Sequence, residues 1–259
     1  MVWSVNPVEK QVHRAVAPAP AGCHFAPRLI ALSLIALTLS VCPVAAQAET
    51  VFSLTPATDI SLGSASIGLF AVSQLLDPRI EPQTPREEIN ALDAAAMCQF
   101  RPGLDRIGTY ATYAALLAPA AMVVFESGTR DRPLSYAAMY SEALLLTYGT
   151  KDLLKALVSR HRPYTYFGPV PEGEENDYAN SFPSGHTSLA FLAATFLATT
   201  FVSEYPGSPY VGPVVAGSYA VAAGVAATRV LSGSHFFTDV LAGAAIGTLW
   251  GWLIPRLHR

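Results

Sequence analysis

The sequence predicts an all-α fold, a bundle of about six helices. Apolar stretches of helical length recur from Ala91 onward, separated by polar loops. Alternating apolar and polar positions, the mark of a half-buried strand, are scarce. Hydrophobic residues make up 51% of the 259-residue chain and charged residues 14%, against about a quarter charged in ordinary soluble domains. Helices apolar on this scale bury their faces in a core or in lipid.

In chain order, residues 1–48 read as a secretory signal peptide. Lys10, Arg14 and Arg28 precede the apolar run 29–41, and Ala46-Gln47-Ala48 offers a small-residue cleavage site before Glu49. The run is short for a membrane span, which favours cleavage over anchoring. Residues 49–90 contain an apolar helix over 60–76, rich in Gly, Ala and Ser, followed by a linker with three prolines between Asp77 and Asn90. Residues 91–259 form the main helical domain, with helices over 91–100, 107–125, 136–160, 186–203, 214–230 and 237–254. Cleavage removes Cys23 and Cys42 and leaves Cys98, so the fold does not depend on an internal disulfide.

Residues 107–125 and 211–228 carry no charge and approach the length of a membrane span, about 20 residues. Residues 237–254 carry only Asp239. Ala, Gly and Thr dilute these segments, which allows close helix packing. The balance favours an integral membrane bundle. A net charge of -3 gives no basis for binding nucleic acid. Positive charge is instead local, between Lys151 and Arg162, and suits a small anionic group.

Three short blocks carry the chemistry. Lys155 and Arg162 lie seven apart, so on a helix both project from one face, and Pro163 ends that helix at Arg162. The pair offers a point charge and a planar fork for phosphate oxygens. In Pro183-Ser184-Gly185-His186 a turn leads into an apolar helix. Ser184 is placed to cap it, Gly185 lets a ligand approach the backbone, and free N–H groups there suit an anion. His235 and Asp239 are four apart and can hydrogen-bond on one helix face, with Arg229 entering from the preceding helix end. A carboxylate accepting from Nδ1–H leaves Nε2 free to attack phosphorus. No Cys/His cluster has zinc spacing, and this chemistry needs neither metal nor cofactor.

The pattern K-x6-R-P, then P-S-G-H, then R-x5-H-x3-D resembles the type 2 phosphatidic acid phosphatase and vanadium haloperoxidase superfamily. The likeness covers roughly the last hundred residues. That family's third block usually begins Ser-Arg, where this chain has Thr228-Arg229. The resemblance implies that His235 is the nucleophile, His186 the general acid and Asp239 the orienting carboxylate. Lys155, Arg162, Ser184, Gly185 and Arg229 would bind phosphate. It implies a metal-independent phosphatase outside the cytoplasmic membrane, acting on a lipid phosphate or isoprenoid pyrophosphate through a phosphohistidine. A soluble periplasmic acid phosphatase for small esters is the alternative. Vanadate-dependent haloperoxidase chemistry ranks lower, as do a non-catalytic phosphate-binding module and a transporter.

The remaining polar residues have plainer readings. The acidic loop 172–177 reads as a solvated surface loop, with a cover over the site or a screen against wrong substrates as the alternative, and Arg160 and His161 read as surface neighbours of the first block. Tyr164, Tyr166 and Phe167 suit either a lipid chain or the core. Glu126, Arg130, Asp131 and Arg132 read as a polar loop between helices.

Overall fold

The computed structural model describes residues 51–76, 80–125 and 132–259. The signal peptide read at 1–48 lies outside the described residues, as do Glu126, Arg130, Asp131 and the side chain of Arg132. Seven α-helices occur among the described residues: α1 (Pro56–Leu75), α2 (Ala91–Ala96), α3 (Pro102–Phe125), α4 (Arg132–Leu157), α5 (Gly185–Glu204), α6 (Val211–Leu231) and α7 (Phe237–Leu257). Short 3-10 turns stand at Arg86–Glu88 and Pro163–Tyr166. The fold is all-α.

Each difference from the expected boundaries has a local cause. Asn90 caps α2 by accepting the Asp93 N–H at 3.0 Å. This helix stops at Ala96, short of residue 100, where Met97 turns to extended backbone, and Pro102 opens α3. The helix expected over 136–160 ends at Leu157. Beyond it the backbone pairs with a distant segment: Arg160 N–H donates to the Ala179 carbonyl at 3.0 Å and Arg162 N–H to the Tyr178 carbonyl at 2.7 Å. Arg162 therefore stands outside the helix that carries Lys155. Their shared location comes from this pairing and not from one helical face.

α5 runs through the centre and packs against α3, α4, α6 and α7. Its contact with α7 is the closest in the bundle, because Gly243, Gly247 and Gly251 form a stripe at helical spacing. A Cβ on Gly243 would lie 2.6 Å from the Ser184 carbonyl oxygen, and one on Gly251 2.7 Å from that of Leu192. A Cβ on Gly247 would overlap the Ser188 carbonyl oxygen. The two backbones touch with no side chain between them. On one side of α5, Met139 and Leu146 of α4 meet Leu192, Phe196 and Ile254. On the other, Ala115 of α3 and Ala222 and Val225 of α6 close against Ala190 and Ala193.

Among the described residues, three helices, α5, α6 and α7, are long and apolar enough to cross a membrane. Gly185–Glu204 joins the two expected from the sequence, while α3 is not among them. Only 17% of the apolar window of α6 is buried within the bundle, so most of its apolar residues, Ala222 and Val225 apart, face outward. A continuous outward apolar face suits lipid rather than water. The chain is a membrane-embedded bundle.

Candidate active site

The first turns of α5 and α7 and the last turn of α6 meet at one end of the bundle. Ser184 N–H donates to the Asp239 carbonyl at 3.1 Å, and His235 N–H to the Arg229 carbonyl at 3.1 Å. The second and third sequence blocks are thus stitched together by backbone. Between them Gly233 adopts φ +75 and presses on the Cys98 and Gln99 carbonyls, where a Cβ would collide at 2.5 Å. The turn that delivers His235 therefore requires glycine.

His235 is buried, and its Nδ1 lies 2.7 Å from the Ser181 carbonyl oxygen. A carbonyl can only accept, so Nδ1 carries the proton and Nε2 presents a lone pair. Asp239 was expected to accept this proton, but its Oδ2 stands 3.8 Å from Nδ1. Asp239 acts one step back: Oδ2 accepts from the Ser181 hydroxyl at 2.6 Å and from the Phe236 N–H at 2.8 Å. It thereby fixes both the residue that holds the imidazole and the start of α7. Burial pushes the His235 pKa down to about 4, with nearby Asp239 opposing and Arg162 and Arg229 adding to the effect. The ring is neutral at ordinary pH.

Arg160, expected at the surface, is part of this arrangement. Its guanidinium spans Asp239 Oδ1 at 2.5 Å and Asp93 Oδ2 at 2.6 Å, and lies 4.1 Å from the Phe236 ring centroid. Asp93 of α2 is fully buried and also accepts from the Thr238 N–H at 2.9 Å. An Asp93–Arg160–Asp239 chain thus anchors the first turn of α7 to α2. Neither Asp93 nor Arg160 stands out in sequence, since the partners lie 67 and 79 residues apart.

The acidic loop is exposed at Glu172, Glu175 and Asn176, as expected, but Glu174 and Asp177 turn inward. Asp177 pairs with the buried Arg162 through both its carboxylate and, at 3.0 Å, its carbonyl. Its other oxygen lies 4.0 Å from Lys155 Nζ, and Glu174 stands 3.7 Å from Arg162. Burial opposes the charge on Asp177, yet Lys155 and Arg162 hold its carboxyl below the usual range. Carboxylates of the chain itself therefore sit on the cations expected to bind phosphate.

On the far side, Arg229 of α6 is buried, bonds the Asp105 carboxylate of α3, and donates to the Asp105 carbonyl at 2.9 Å. The Thr109 hydroxyl also donates to that carbonyl, at 3.1 Å, which leaves its oxygen to accept from His186 Nε2–H at 3.2 Å. Gly108 lets α3 approach this closely, because a Cβ there would meet Arg229 at 3.2 Å and overlap the Thr228 hydroxyl. Ser184 is the N-cap residue of α5, but its hydroxyl pairs with that of Thr187 at 2.9 Å instead of capping a backbone N–H. Gly185 gives room to the stem of Lys151, 3.3 Å from where a Cβ would be. All eight residues singled out from the sequence lie at this end of the bundle.

Comparison with known proteins bears on this arrangement. Residues 136–259 match the model of the PAP2 superfamily. Over these residues the chain is similar to the PAP2 superfamily. A curated relative, the lipid A 1-phosphatase of Porphyromonas gingivalis, is 40% identical over 85 residues, 31% of this chain. The matched stretch is 18% of that relative's length. Among solved structures, the crystal structure of the first transmembrane PAP2-type phosphatidylglycerolphosphate phosphatase from Bacillus subtilis is 26% identical. The superposition covers 75% of this chain and 92% of that one, with a TM-score of 0.43. Asp93, Asp105 and Thr109 lie before the PAP2 region, yet they hold Arg160, Arg229 and His186 within it.

Proposed function

We propose that the chain is a phosphatase that hydrolyses a membrane lipid phosphate or isoprenoid pyrophosphate without a metal, through a phosphohistidine at His235. The observation that carries this reading is the Nδ1–H tie to the Ser181 carbonyl. It aims an unprotonated Nε2 into a buried setting that contains Lys155, Arg162 and Arg229.

In the first step Nε2 of His235 attacks phosphorus as the bond to the leaving oxygen breaks, and His186 gives that oxygen its Nε2 proton. In the second, His186 takes a proton from water, the water oxygen bonds phosphorus, and the P–N bond breaks to release phosphate. The cations and the uncapped N–H groups at the start of α5 stabilise charge on the phosphoryl oxygens in both steps. Asp239 and Arg160 are positioning residues, because they act on His235 through Ser181 and the first turn of α7.

Two observations favour a lipid. Three helices suit a bilayer. An apolar groove lined by Ala114, Ala118, Leu197, Val214 and Val221 also runs along α3, α5 and α6, on residues that follow Thr109 in α3 and His186 in α5. It fits an acyl or isoprenoid chain whose headgroup sits at the cations. The name of the curated relative makes lipid A 1-phosphate one substrate to try. The leader read at 1–48 supports a site facing the periplasm.

The test is phosphate release by purified protein in a chelating buffer, with a detergent-dispersed lipid phosphate and a small soluble ester. Turnover of the lipid, lost in His235→Ala, is expected. Turnover of the small ester alone would replace the reading with a non-specific acid phosphatase.

A further inference from the structure

A second set of ionisable side chains lies at the opposite end of α7, roughly 30 Å from His235 along a helix of 21 residues. His258 follows the helix and is buried. Its Nδ1 is 3.0 Å from the Ile254 carbonyl oxygen, and its own carbonyl accepts from the Ser53 N–H at 2.7 Å. The carbonyl partner again requires the proton on Nδ1, which leaves the Nε2 lone pair pointing away from the helix. Nε2 faces Asp59 Oδ1 of α1 at 3.0 Å and Glu142 Oε2 of α4 at 3.4 Å.

Three lone-pair donors therefore converge, all within 4.8 Å of one another. The side chain of Glu142 is 4% exposed, and its Oε2 has no hydrogen-bond partner. A carboxylate oxygen left without a donor in the interior is costly, and a second carboxylate beside it adds repulsion. A bound cation resolves both. The spacing also fits, because ligand atoms around a tetrahedral ion with bonds of about 2.0–2.1 Å lie roughly 3.3 Å apart. One imidazole nitrogen with two carboxylate oxygens suits a first-row divalent ion such as Zn²⁺ better than Mg²⁺ or Ca²⁺, which prefer oxygen alone. The Nδ1–H bond to a carbonyl is the support that metal-bound histidines commonly have.

We infer that Asp59, Glu142 and His258 form a divalent transition-metal site of Zn²⁺ type. The ion would clasp α1 and α4 to the residue that follows α7. It would tie the N-terminal helix, which precedes the PAP2 region, to the bundle far from the phosphoryl chemistry. No residue of the proposed phosphatase site takes part.

The test uses the full chain in detergent, stripped with a chelator and desalted. Zn²⁺ is titrated against a chromophoric competitor, and bound metal is counted by mass spectrometry. One equivalent per chain is expected, with a rise in Tm. Glu142→Gln and His258→Gln should weaken affinity at least about tenfold, the usual scale for lost support at a metal site. Asp59→Asn is the control for folding, because Asp59 is half-buried in the first turn of α1 and the change keeps its shape. It too should weaken binding, with the helical circular dichroism unchanged. Less than about 0.2 equivalents in wild type, or equal affinity in wild type and all three variants, would overturn the site.

Discussion

The two ends of α7 carry histidines in the same chemical state and opposite surroundings. His235 and His258 both donate Nδ1–H to a backbone carbonyl, at 2.7 and 3.0 Å, so both present a bare Nε2. Around His235 stand Arg162 and Arg229. Around His258 stand Asp59 and Glu142. In the proposed reading one lone pair meets the phosphorus of an anion and the other a cation. Local backbone thus decides the tautomer, and residues brought from distant helices decide the ligand.

The largest expected effect comes from disturbing the shaft that joins the two ends. Gly247→Ala places a methyl on the Ser188 carbonyl oxygen, where only backbone can move, so α5 and α7 must separate. We expect a loss of about 2 kcal/mol or more, within the range for overpacked contacts, seen as a fall in Tm together with loss of phosphatase turnover. Gly217→Ala, with open space around its Cβ on α6, should change Tm little and is the matched control.

The next effect sharpens the His235 end alone. Arg160→Ala removes the bridge between Asp93 and Asp239, both fully buried, and lets the first turn of α7 shift. Turnover should fall about 10- to 100-fold, as for other residues that orient a reacting group. KM should stay within a few-fold, because the Arg160 guanidinium is taken up by Asp93, Asp239 and Thr238. Zn²⁺ affinity at the other end should not change.

A pH profile reads the same histidine without mutation. Its pKa lies at about 4, so His235 stays neutral as pH falls through 6.5 and takes up a proton only near 4. The kcat/KM for a lipid phosphate should keep an unperturbed contribution from His235 down to that range and lose it below, since protonation removes the attacking lone pair. An acid limb near 6.5 assigned to His235 would mean that the ring is not buried as described.

The smallest effect concerns the carboxylates already seated on the cations. If Lys155 and Arg162 hold the phosphate as proposed, Asp177, already seated on both, competes with substrate for them. Asp177→Asn weakens that competition, and KM should drop a few-fold with kcat nearly unchanged. A rise in KM would instead show that Asp177 holds Arg162 in place for substrate.

The sequence made legible what is local. Apolar runs located every main helix to within a few residues, and the blocks around Lys155, Gly185 and His235 gathered at one end. What it concealed is what is paired at long range. Arg160 looked like a surface neighbour because Asp93 and Asp239 lie 67 and 79 residues away. The run 172–177 is solvated at Glu172 and Glu175, but nothing in its own composition reveals that Glu174 and Asp177 turn to Arg162 and Lys155. The Asp239–His235 spacing suggested a direct bond, but the backbone of Ser181 intervenes, and no side-chain pattern encodes a carbonyl. Asp59, Glu142 and His258 share no motif at all, and only the packing of α1, α4 and α7 brings them together.

The most direct test of the central claim is to look for the phosphorylated enzyme. Protein mixed with a lipid phosphate labelled on phosphorus is quenched in alkali, which preserves phosphohistidine, and the label is mapped by peptide. Wild type should carry transient label on His235, His235→Ala none, and His186→Ala either lasting label or slowed labelling from loss of the acid. Absence of label in wild type, with turnover retained in His235→Ala, would contradict the account.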